Sequence, residues 1–288
     1  MSAITSSRKA SFIIIAFIYA FAAAVGFLIY GLSASIVENA FCQLFIADVV
    51  ATVVVWAFGL YYKNVSVYDP YWSVAPPVIL TAWTIRVGNV GWSSALLLFA
   101  VWYWGIRLTL NWAYTFRNLD TEDWRYTKYR TEQKSFIFHV INFFGLNMMP
   151  TIVVFLAMLP GMDLLSGGGD MTWLSWVAFA VCVVAATIQL FADKQRHHFA
   201  KEHNGEVCKV GLWKHGRHPN YFGEILMWWG VWLFYVSANG FERNLWYVVG
   251  PVAMTCLFLF ISIPLMEKRQ LKNKPDYVEY KKRTRIFI

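Results

Sequence analysis

The segment between Gly211 and Glu224 carries the densest set of chemically capable side chains in this chain. It reads GLWKHGRHPNYFGE and lies between two apolar stretches. An unpaired polar group at the rim of a bilayer costs on the order of several kcal/mol. We therefore expect a bound, charged ligand to supply partners for these groups. The candidate side chains fall within eight residues: Arg217, His218, Asn220, Tyr221 and Glu224.

The composition predicts an integral membrane protein. Of the 288 residues, 58% are hydrophobic and only 15% are charged, against about 25% charged in soluble proteins. A membrane-spanning helix needs about 17 to 25 predominantly apolar residues. We expect an all-α, polytopic helical bundle of seven or eight transmembrane helices, forming one domain over 1–288 with short tails. The candidate spans are 12–33, 43–62, 74–86, 93–116, 136–158, 172–192, 222–237 and 246–264.

The distribution of positive charge predicts the orientation. With eight spans and a cytosolic N terminus, 22 of the 25 Lys and Arg residues face the cytosol, as the positive-inside rule requires. Arg86 and Arg243 fall outside and Arg107 within a span. If 74–86 does not cross, the N terminus reverses while the C-terminal half keeps its orientation. The net charge of +8 then reflects topology and contact with membrane lipid, and we expect no nucleic acid partner.

Metal binding is not indicated by the sequence. The four cysteines lie far apart, without a CxxC pair, which argues against a zinc site and a disulfide framework. His198 and His203 are five residues apart, and the six histidines of the chain do not form a dense cluster. We therefore predict no metal.

Ionisable groups in or beside the spans are candidates for function. Arg107 and Asn111 share one helix face, where they could bind a ligand phosphate, reach a lipid headgroup or pair with a neighbouring helix. Asp69 directly precedes Pro70 and is either a helix N-cap or an acid whose pKa is raised by apolar surroundings. Tyr103, on the next helix, could be its partner.

Two further groups of residues flank the segment 211–224, which we call the opening motif. Asp193 and Arg196 lie at the end of the preceding span, and their basic neighbourhood could clamp a diphosphate or form a solvated rim. After the last span come Glu267 and the pair Tyr277 and Tyr280. These three residues either anchor the tail at the interface or close over a nucleotide.

The sequence resembles the steroid 5α-reductase and sterol reductase superfamily, in its bacterial-type branch. The resemblance is carried by Trp213, by the run from Arg217 to Glu224, by Glu267 and by Tyr277-x-x-Tyr280, and it is firm over 190–288. Isoprenylcysteine and phospholipid methyltransferases contain a related pattern. They usually carry a double acid after the last span, where this chain has Glu267 followed by Lys268.

The resemblance implies a cofactor and a site. In reductases of this superfamily the positions of Asp193, Asn220 and Glu224 hold the nicotinamide and ribose-phosphate parts of NADPH. It also implies that an acid at Asp69 pairs with a tyrosine, although the steroid-reducing members have glutamate there and Trp104 could replace Tyr103. The cofactor-binding residues expected are Arg107, Asn111, Asp193, Arg196, Trp213, Arg217, His218, Asn220, Tyr221, Glu224, Glu267, Tyr277 and Tyr280.

The leading hypothesis is an enzyme, an NADPH-dependent reductase of a carbon–carbon double bond in a steroid-like or isoprenoid lipid. Asp69 and Tyr103 would be catalytic, and the cofactor would bind from the cytosol. The host membrane would be the bacterial inner membrane, or the endoplasmic reticulum in a eukaryote. The oligomeric state is open, with a monomer as the simplest expectation. The alternatives are an S-adenosylmethionine-dependent methyltransferase of lipids or isoprenylcysteine, and a non-catalytic lipid-binding protein.

Overall fold

The computed structural model describes residues 3–88, 90–167, 170–203, 205–241 and 245–288, together with the side chains of these residues from position 5 onward. Arg243, expected on the outer side, lies outside the described residues. The described chain is helical without any strand, apart from one isolated bridge between Gly216 and Arg285. The predicted all-α class is confirmed.

The helices follow one another with short connections. Their bounds, in chain order, are α1 Ala3–Ser6, α2 Arg8–Ser33, α3 Ala40–Tyr61, α4 Tyr71–Val87, α5 Trp92–Thr115, α6 Trp124–Glu132, α7 Ser135–Val140, α8 Met149–Gly167, α9 Trp173–Glu202, α10 Pro219–Asn239, α11 Val249–Leu257, α12 Ile263–Asn273 and α13 Tyr277–Arg283. Two π-helical segments, Ile141–Met148 and Phe258–Ser262, join α7 to α8 and α11 to α12.

Six helical segments among the described residues are long and apolar enough to cross a bilayer. Their exposed positions carry large apolar side chains, such as Phe17 and Leu28 on α2, as lipid contact requires. The chain is therefore a polytopic helical membrane protein. The shorter predicted spans 74–86 and 222–237 coincide with α4 and α10. The six are Arg8–Ser33, Ala40–Tyr61, Trp92–Thr115, Ser135–Gly167, Trp173–Glu202 and Leu245–Asn273.

The chain divides into two compact units. Unit 1 comprises 1–75 and 112–155, and unit 2 comprises 76–111 and 156–288. In unit 1, α2 packs against α3, and Gly26 lies beside Ala47 and Ala51 of that helix. The side chain of Asn64 donates to the carbonyl of Leu119 over 2.7 Å, which fixes the segment between α3 and α4.

In unit 2, the helix pair α9 and α10 forms the principal packing contact. The buried face of α9 carries small residues, among them Ala178, Cys182 and Ala185. Gly223 and Gly230 of α10 lie so close to this face that a Cβ at either position would overlap α9 atoms. Small residues let membrane helices approach closely, and this approach brings the polar residues at the ends of α9 and α10 together.

Candidate functional site

A cleft in unit 2 lies beside the start of α10. It encloses about 450 Å³ of empty volume when its open mouth is included. The connection between α9 and α10, the start of α10, and the segment from α12 to α13 supply its walls. The lining residues are Arg196, Val207, Cys208, Trp213, Arg217, His218, Asn220, Tyr221, Met266, Gln270, Lys274, Tyr277 and Tyr280.

The lining is basic. It contains three cationic side chains, those of Arg196, Arg217 and Lys274, and no Asp or Glu. Among the described residues, neither Arg196 nor Lys274 forms a salt bridge. Burial lowers the pKa of Lys274, and the charge of Arg196 lowers it further. Such a lining is suited to bind an anion.

Aromatic rings line the same cleft. The guanidinium of Arg196 lies 5.4 Å from the Trp213 ring centroid, and the Trp213 indole donates to the Ala192 carbonyl over 2.8 Å. Tyr221 stacks on His218, with ring centroids 5.3 Å apart and planes within 5°. Flat faces beside cations are the features that bind a planar group carrying phosphates.

The backbone of the opening motif holds these side chains in place. Pro219 is the first residue of α10. An N–H at this position would have no partner within the helix, so its absence in proline costs no hydrogen bond. The amides of Arg217 and His218 donate to the carbonyls of Arg285 and Ile286, over 2.9 Å and 3.1 Å. The C-terminal segment therefore pairs with the motif.

Glu267 joins the motif to the C-terminal segment by side chains. Its carboxylate, buried in α12, accepts from Arg217 Nε at 2.7 Å and from Lys281 Nζ at 2.6 Å. His218 Nε2 lies 3.3 Å away. Burial lowers the pKa of His218 to about 4 despite this carboxylate, so the imidazole is neutral at physiological pH.

Arg217 has further partners in this region. Its Nη1 donates to the carbonyls of Lys281, over 3.2 Å, and Thr284. The Tyr280 hydroxyl donates to the carbonyls of Trp213, over 2.5 Å, and Gly216. Arg217 and Tyr280 thus shape the cleft wall, and their polar groups already have protein partners.

A second polar network is buried between α5, α9 and α10 within unit 2. Arg107 pairs with Asp193 over 3.1 Å and lies 3.9 Å from Glu224. Its Nη2 also donates to the side-chain amide oxygen of Gln189. Arg107 Nε and the Gln189 amide nitrogen find no acceptor among the described residues. Two buried donors therefore remain available for an acceptor.

Two indoles donate hydrogen bonds to the carboxylate of Glu224. Trp104 donates to both of its oxygens, over 3.1 Å and 2.9 Å, and Trp228 donates to Oε1 over 2.9 Å. The Asn220 amide, which lines the cleft, donates to Asp193 Oδ1 over 3.3 Å. Asn220 thus connects the cleft to the buried network.

The structure brings most of the predicted cofactor-binding residues to the cleft, but not all. The residues that line it are Arg196, Trp213, Arg217, His218, Asn220, Tyr221, Tyr277 and Tyr280. Those that lie behind it or apart from it are Arg107, Asn111, Asp193, Glu224 and Glu267. Asn111 is half-buried on α5, one turn beyond Arg107.

Several residues of the site were missed by the sequence analysis. Lys274 and Gln270 line the cleft but belong to a basic tail with no distinguishing motif. Gln189 lies one helical turn before Asp193 on the buried face of α9. A polar pair at this spacing inside an apolar span was the signal that could have identified Gln189.

Asp69 and Tyr103 fall in different units, and each has a partner in its own unit. The Tyr126 hydroxyl donates to Asp69 Oδ1, and Arg125 Nη2 lies 3.6 Å from the same oxygen. The hydroxyls of Tyr103 and Thr187 are 3.1 Å apart. α4 begins at Tyr71, two residues after Asp69, and the N-cap interpretation of Asp69 stays a prediction. Burial raises the pKa of Asp69 to about 6 although Arg125 opposes the shift.

The fold and the site together define a helical membrane protein with a basic, aromatic cleft beside a buried polar network. The chain belongs to the family described as "Protein of unknown function (DUF1295)", whose model matches residues 55–284. This family is associated with steroid 5α-reductase-like membrane proteins.

The chain is also similar to an uncharacterized protein of Schizosaccharomyces pombe (strain 972 / ATCC 24843). The two are 23% identical over 273 residues, which cover 82% of this chain and 75% of the yeast protein. No solved structure matches the chain.

The Glu267 pairing predicts how the C-terminal segment is held. Glu267→Ala leaves Arg217 buried without its carboxylate, a change that costs about 3–5 kcal/mol. We expect α13 and the residues after it to detach, and trypsin to cleave faster at Lys281, Lys282, Arg283 and Arg285. Glu279→Ala is the matched control, because Glu279 is an exposed partner of Arg283. Equal cleavage rates in the two variants would show that Glu267 does not hold the segment.

The raised pKa of Asp69 predicts a pH-dependent stability. The carboxyl has a pKa of 3.8 as a free group and about 6 in the fold, so the folded protein binds more protons between these values. Ionisation of Asp69 therefore lowers stability as pH rises from about 4 to about 6. The unfolding free energy of Asp69→Asn, relative to wild type, should rise by on the order of 2–3 kcal/mol across that window.

The measurement is denaturant unfolding in detergent micelles at several pH values, with Asp170→Asn as the control because Asp170 is exposed. A difference between Asp69→Asn and wild type that stays constant from about pH 4 to about pH 7 would contradict the raised pKa.

Proposed function

We propose that the protein is a membrane enzyme that uses NADPH to reduce a carbon–carbon double bond in a steroid-like or isoprenoid lipid. The observation that carries the proposal is the cleft lined by Arg196 and Lys274, by aromatic rings and by no carboxylate. A dinucleotide phosphate is the anionic, aromatic ligand that such a lining fits. The resemblance of the motif to steroid 5α-reductases supports the same function.

The residues of the cleft fit the parts of this cofactor. Arg196 and Lys274 would bind phosphate oxygens, Arg as a fork and Lys as a point charge. Trp213 and Tyr221 offer faces to flat rings. Asn220 offers an amide to a carboxamide. When bound, NADPH supplies a hydride.

The remaining predicted residues support the cleft. Glu267 neutralises Arg217 and so holds the C-terminal wall. Glu224 and Asp193 compensate the buried charge of Arg107. Asp193 also orients the Asn220 amide by accepting its hydrogen bond. These groups would position the cofactor-binding side chains and keep water away from them.

Proton donation to the substrate is the proposed role of Asp69. Its pKa of about 6 keeps a fraction of the carboxyl protonated near neutral pH, as a general acid requires. Tyr126, which donates to Asp69, would take the partner role that was predicted for Tyr103. We also propose that the cleft faces the cytosol and that the substrate is a lipid.

The methyltransferase alternative is less well supported by the cleft. S-adenosylmethionine carries a sulfonium and an ammonium group, and cations bind where carboxylates are available. The lining of the cleft, as far as the structure describes it, has none. A non-catalytic lipid-binding protein would use the same basic residues for a headgroup, without affinity for a nucleotide.

The cleft predicts which side chains determine cofactor affinity. Arg196→Ala and Lys274→Ala should each weaken NADPH binding about 10-fold to 100-fold, because a charge-assisted hydrogen bond contributes about 1.5–3 kcal/mol. The dissociation constants can be measured by calorimetry on the purified protein in detergent micelles. Lys272→Ala is the matched control, because Lys272 is an exposed lysine two residues away on α12.

Two outcomes would refute the assignment. One is equal NADPH affinity in wild type and both cleft variants. The other is thermal protection of the wild type by S-adenosylmethionine and none by NADPH, since a ligand stabilises the state that binds it.

A further inference from the structure

The last two helices of unit 2 present exposed faces of the same composition. On α12, Lys268, Leu271 and Lys272 have the spacing of three and four residues that places side chains on one helix face. On α13, Val278 and Lys282 have the same spacing of four. All five side chains are exposed, Leu271 by 40% and Val278 by 48%. Each helix therefore presents an aliphatic side chain together with lysine.

The residues that follow α13 repeat this composition. Ile286 and Ile288 are each 40% exposed, and Arg285 before them is exposed as well. Phe287, between the two isoleucines, instead packs against Phe222 of α10, with ring centroids 5.8 Å apart. Residues 285–288 thus contact unit 2 on one side and present aliphatic side chains and a cation on the other.

The cations of these three elements are only partly neutralised by the protein. Lys281 pairs with Glu267, and Arg283 pairs with Glu279. The remaining acid of 267–288 is Asp276, which precedes α13. Four further cations of these elements form no ion pair among the described residues: Lys268, Lys272, Lys282 and Arg285. The exposed faces therefore have a net positive charge.

Contacts within unit 2 fix the depth of these elements at the membrane edge. α12 is the end of the candidate span Leu245–Asn273, and its charged residues begin at Glu267. Lys281 Nζ lies 2.6 Å from Glu267 Oε2, so α13 returns to the point where the apolar run stops. The amide of His218, directly before the apolar helix α10, donates to the Ile286 carbonyl over 3.1 Å. The exposed faces therefore lie within reach of lipid headgroups.

The opposite side of the same segment lines the cleft. Gln270, Lys274, Tyr277 and Tyr280 of α12, α13 and the turn between them contribute to its wall. Tyr277 and Tyr280 are buried together with Val207. A contact that fixes the exposed faces of α12 and α13 would therefore also fix this wall of the cleft.

We propose that the exposed faces of α12 and α13, together with residues 285–288, dock on anionic phospholipid headgroups of the membrane that the protein spans. We call these faces the docking surface. Its cations bind headgroup phosphates, and its aliphatic side chains enter the boundary between headgroups and acyl chains. A cluster of Lys and Arg beside a transmembrane helix is typical of contact with anionic lipid. The leaflet thereby holds the cleft wall from outside, whether or not the cleft binds a nucleotide.

Hydrogen–deuterium exchange of the full chain in lipid nanodiscs tests the proposal. One set of nanodiscs contains phosphatidylcholine alone, and the other contains phosphatidylcholine mixed with phosphatidylglycerol. We expect the amides of 268–288 to exchange about tenfold more slowly in the anionic nanodiscs, a factor that one or two cations at a charged leaflet supply. The difference should shrink at high salt, because salt screens exposed charges.

A triple variant removes the cations of the docking surface. Lys268→Gln/Lys272→Gln/Lys282→Gln should exchange at the same rate in both kinds of nanodisc. All three lysines are exposed, so the substitutions leave the buried contacts of α12 and α13 in place.

The matched control is Lys201→Gln/Lys209→Gln/Lys214→Gln, which removes the same charge from exposed lysines at and after the end of α9. It should keep the wild-type difference. Soluble glycerol phosphate, added to the phosphatidylcholine nanodiscs, should give no protection, because the docking surface needs the headgroup at the membrane.

Two results would overturn the proposal. Equal exchange of 268–288 in the two kinds of nanodisc would leave the basic faces to an acidic protein partner, and an undiminished difference in the triple variant would place the lipid contact elsewhere. Neither measurement uses a nucleotide. Failure here would therefore leave the proposed function standing, and loss of NADPH binding would leave the docking surface standing.

Discussion

The buried ion pair between Arg217 and Glu267 is the interaction on which the candidate site depends. Both groups are less than 10% exposed, and a buried charge is tolerated only with a partner. Because Arg217 precedes α10 and Glu267 lies in α12, their pairing joins two of the elements that line the cleft. Lys281 adds the C-terminal segment to the same carboxylate.

This pairing separates the cations of the cleft into two kinds. Arg217 is neutralised by protein groups and therefore shapes the wall. Arg196 and Lys274 have no carboxylate partner among the described residues and therefore give the cleft its positive potential. Burial and repulsion from Arg196 lower the pKa of Lys274. An anion that enters the cleft would relieve the repulsion between these two cations. The electrostatics of the cleft thus favour the phosphates of a nucleotide over a cationic cofactor.

The two units divide the ionisable groups between them. Unit 2 contains the cleft and the network around Arg107, which balances one guanidinium with two carboxylates. Unit 1 contains Asp69, paired with Arg125 and Tyr126, and Asp48, which accepts a hydrogen bond from Tyr71. Of these two acids, only Asp69 lies close to a cation among the described residues.

Much of the fold could be predicted from the sequence, because an apolar run of sufficient length is a local signal. The predicted span stopped at 192, and the helix that contains it continues to Glu202. Charged residues after Asp193 end the apolar run without ending the hydrogen bonding of the helix.

The site residues that lie in or beside the motif could be predicted from the sequence. Those that are distant in the chain and reach the site only through the fold could not. Asn220 and Tyr221 were found by their spacing, whereas Lys274 reaches the cleft only through the turn between α12 and α13. Tyr126 lies 57 residues from Asp69 in the chain, and no local pattern indicates such a contact. Asp48 was missed although a lone acid in an apolar span was already a signal.

The central claim is that the basic cleft binds a dinucleotide phosphate. The most direct measurement is an electron cryomicroscopy structure of the protein in lipid nanodiscs with saturating NADPH. We expect density for the nucleotide inside the cleft, with phosphates against Arg196 and Lys274. A cleft without nucleotide density under those conditions, or nucleotide bound elsewhere on the protein, would contradict it.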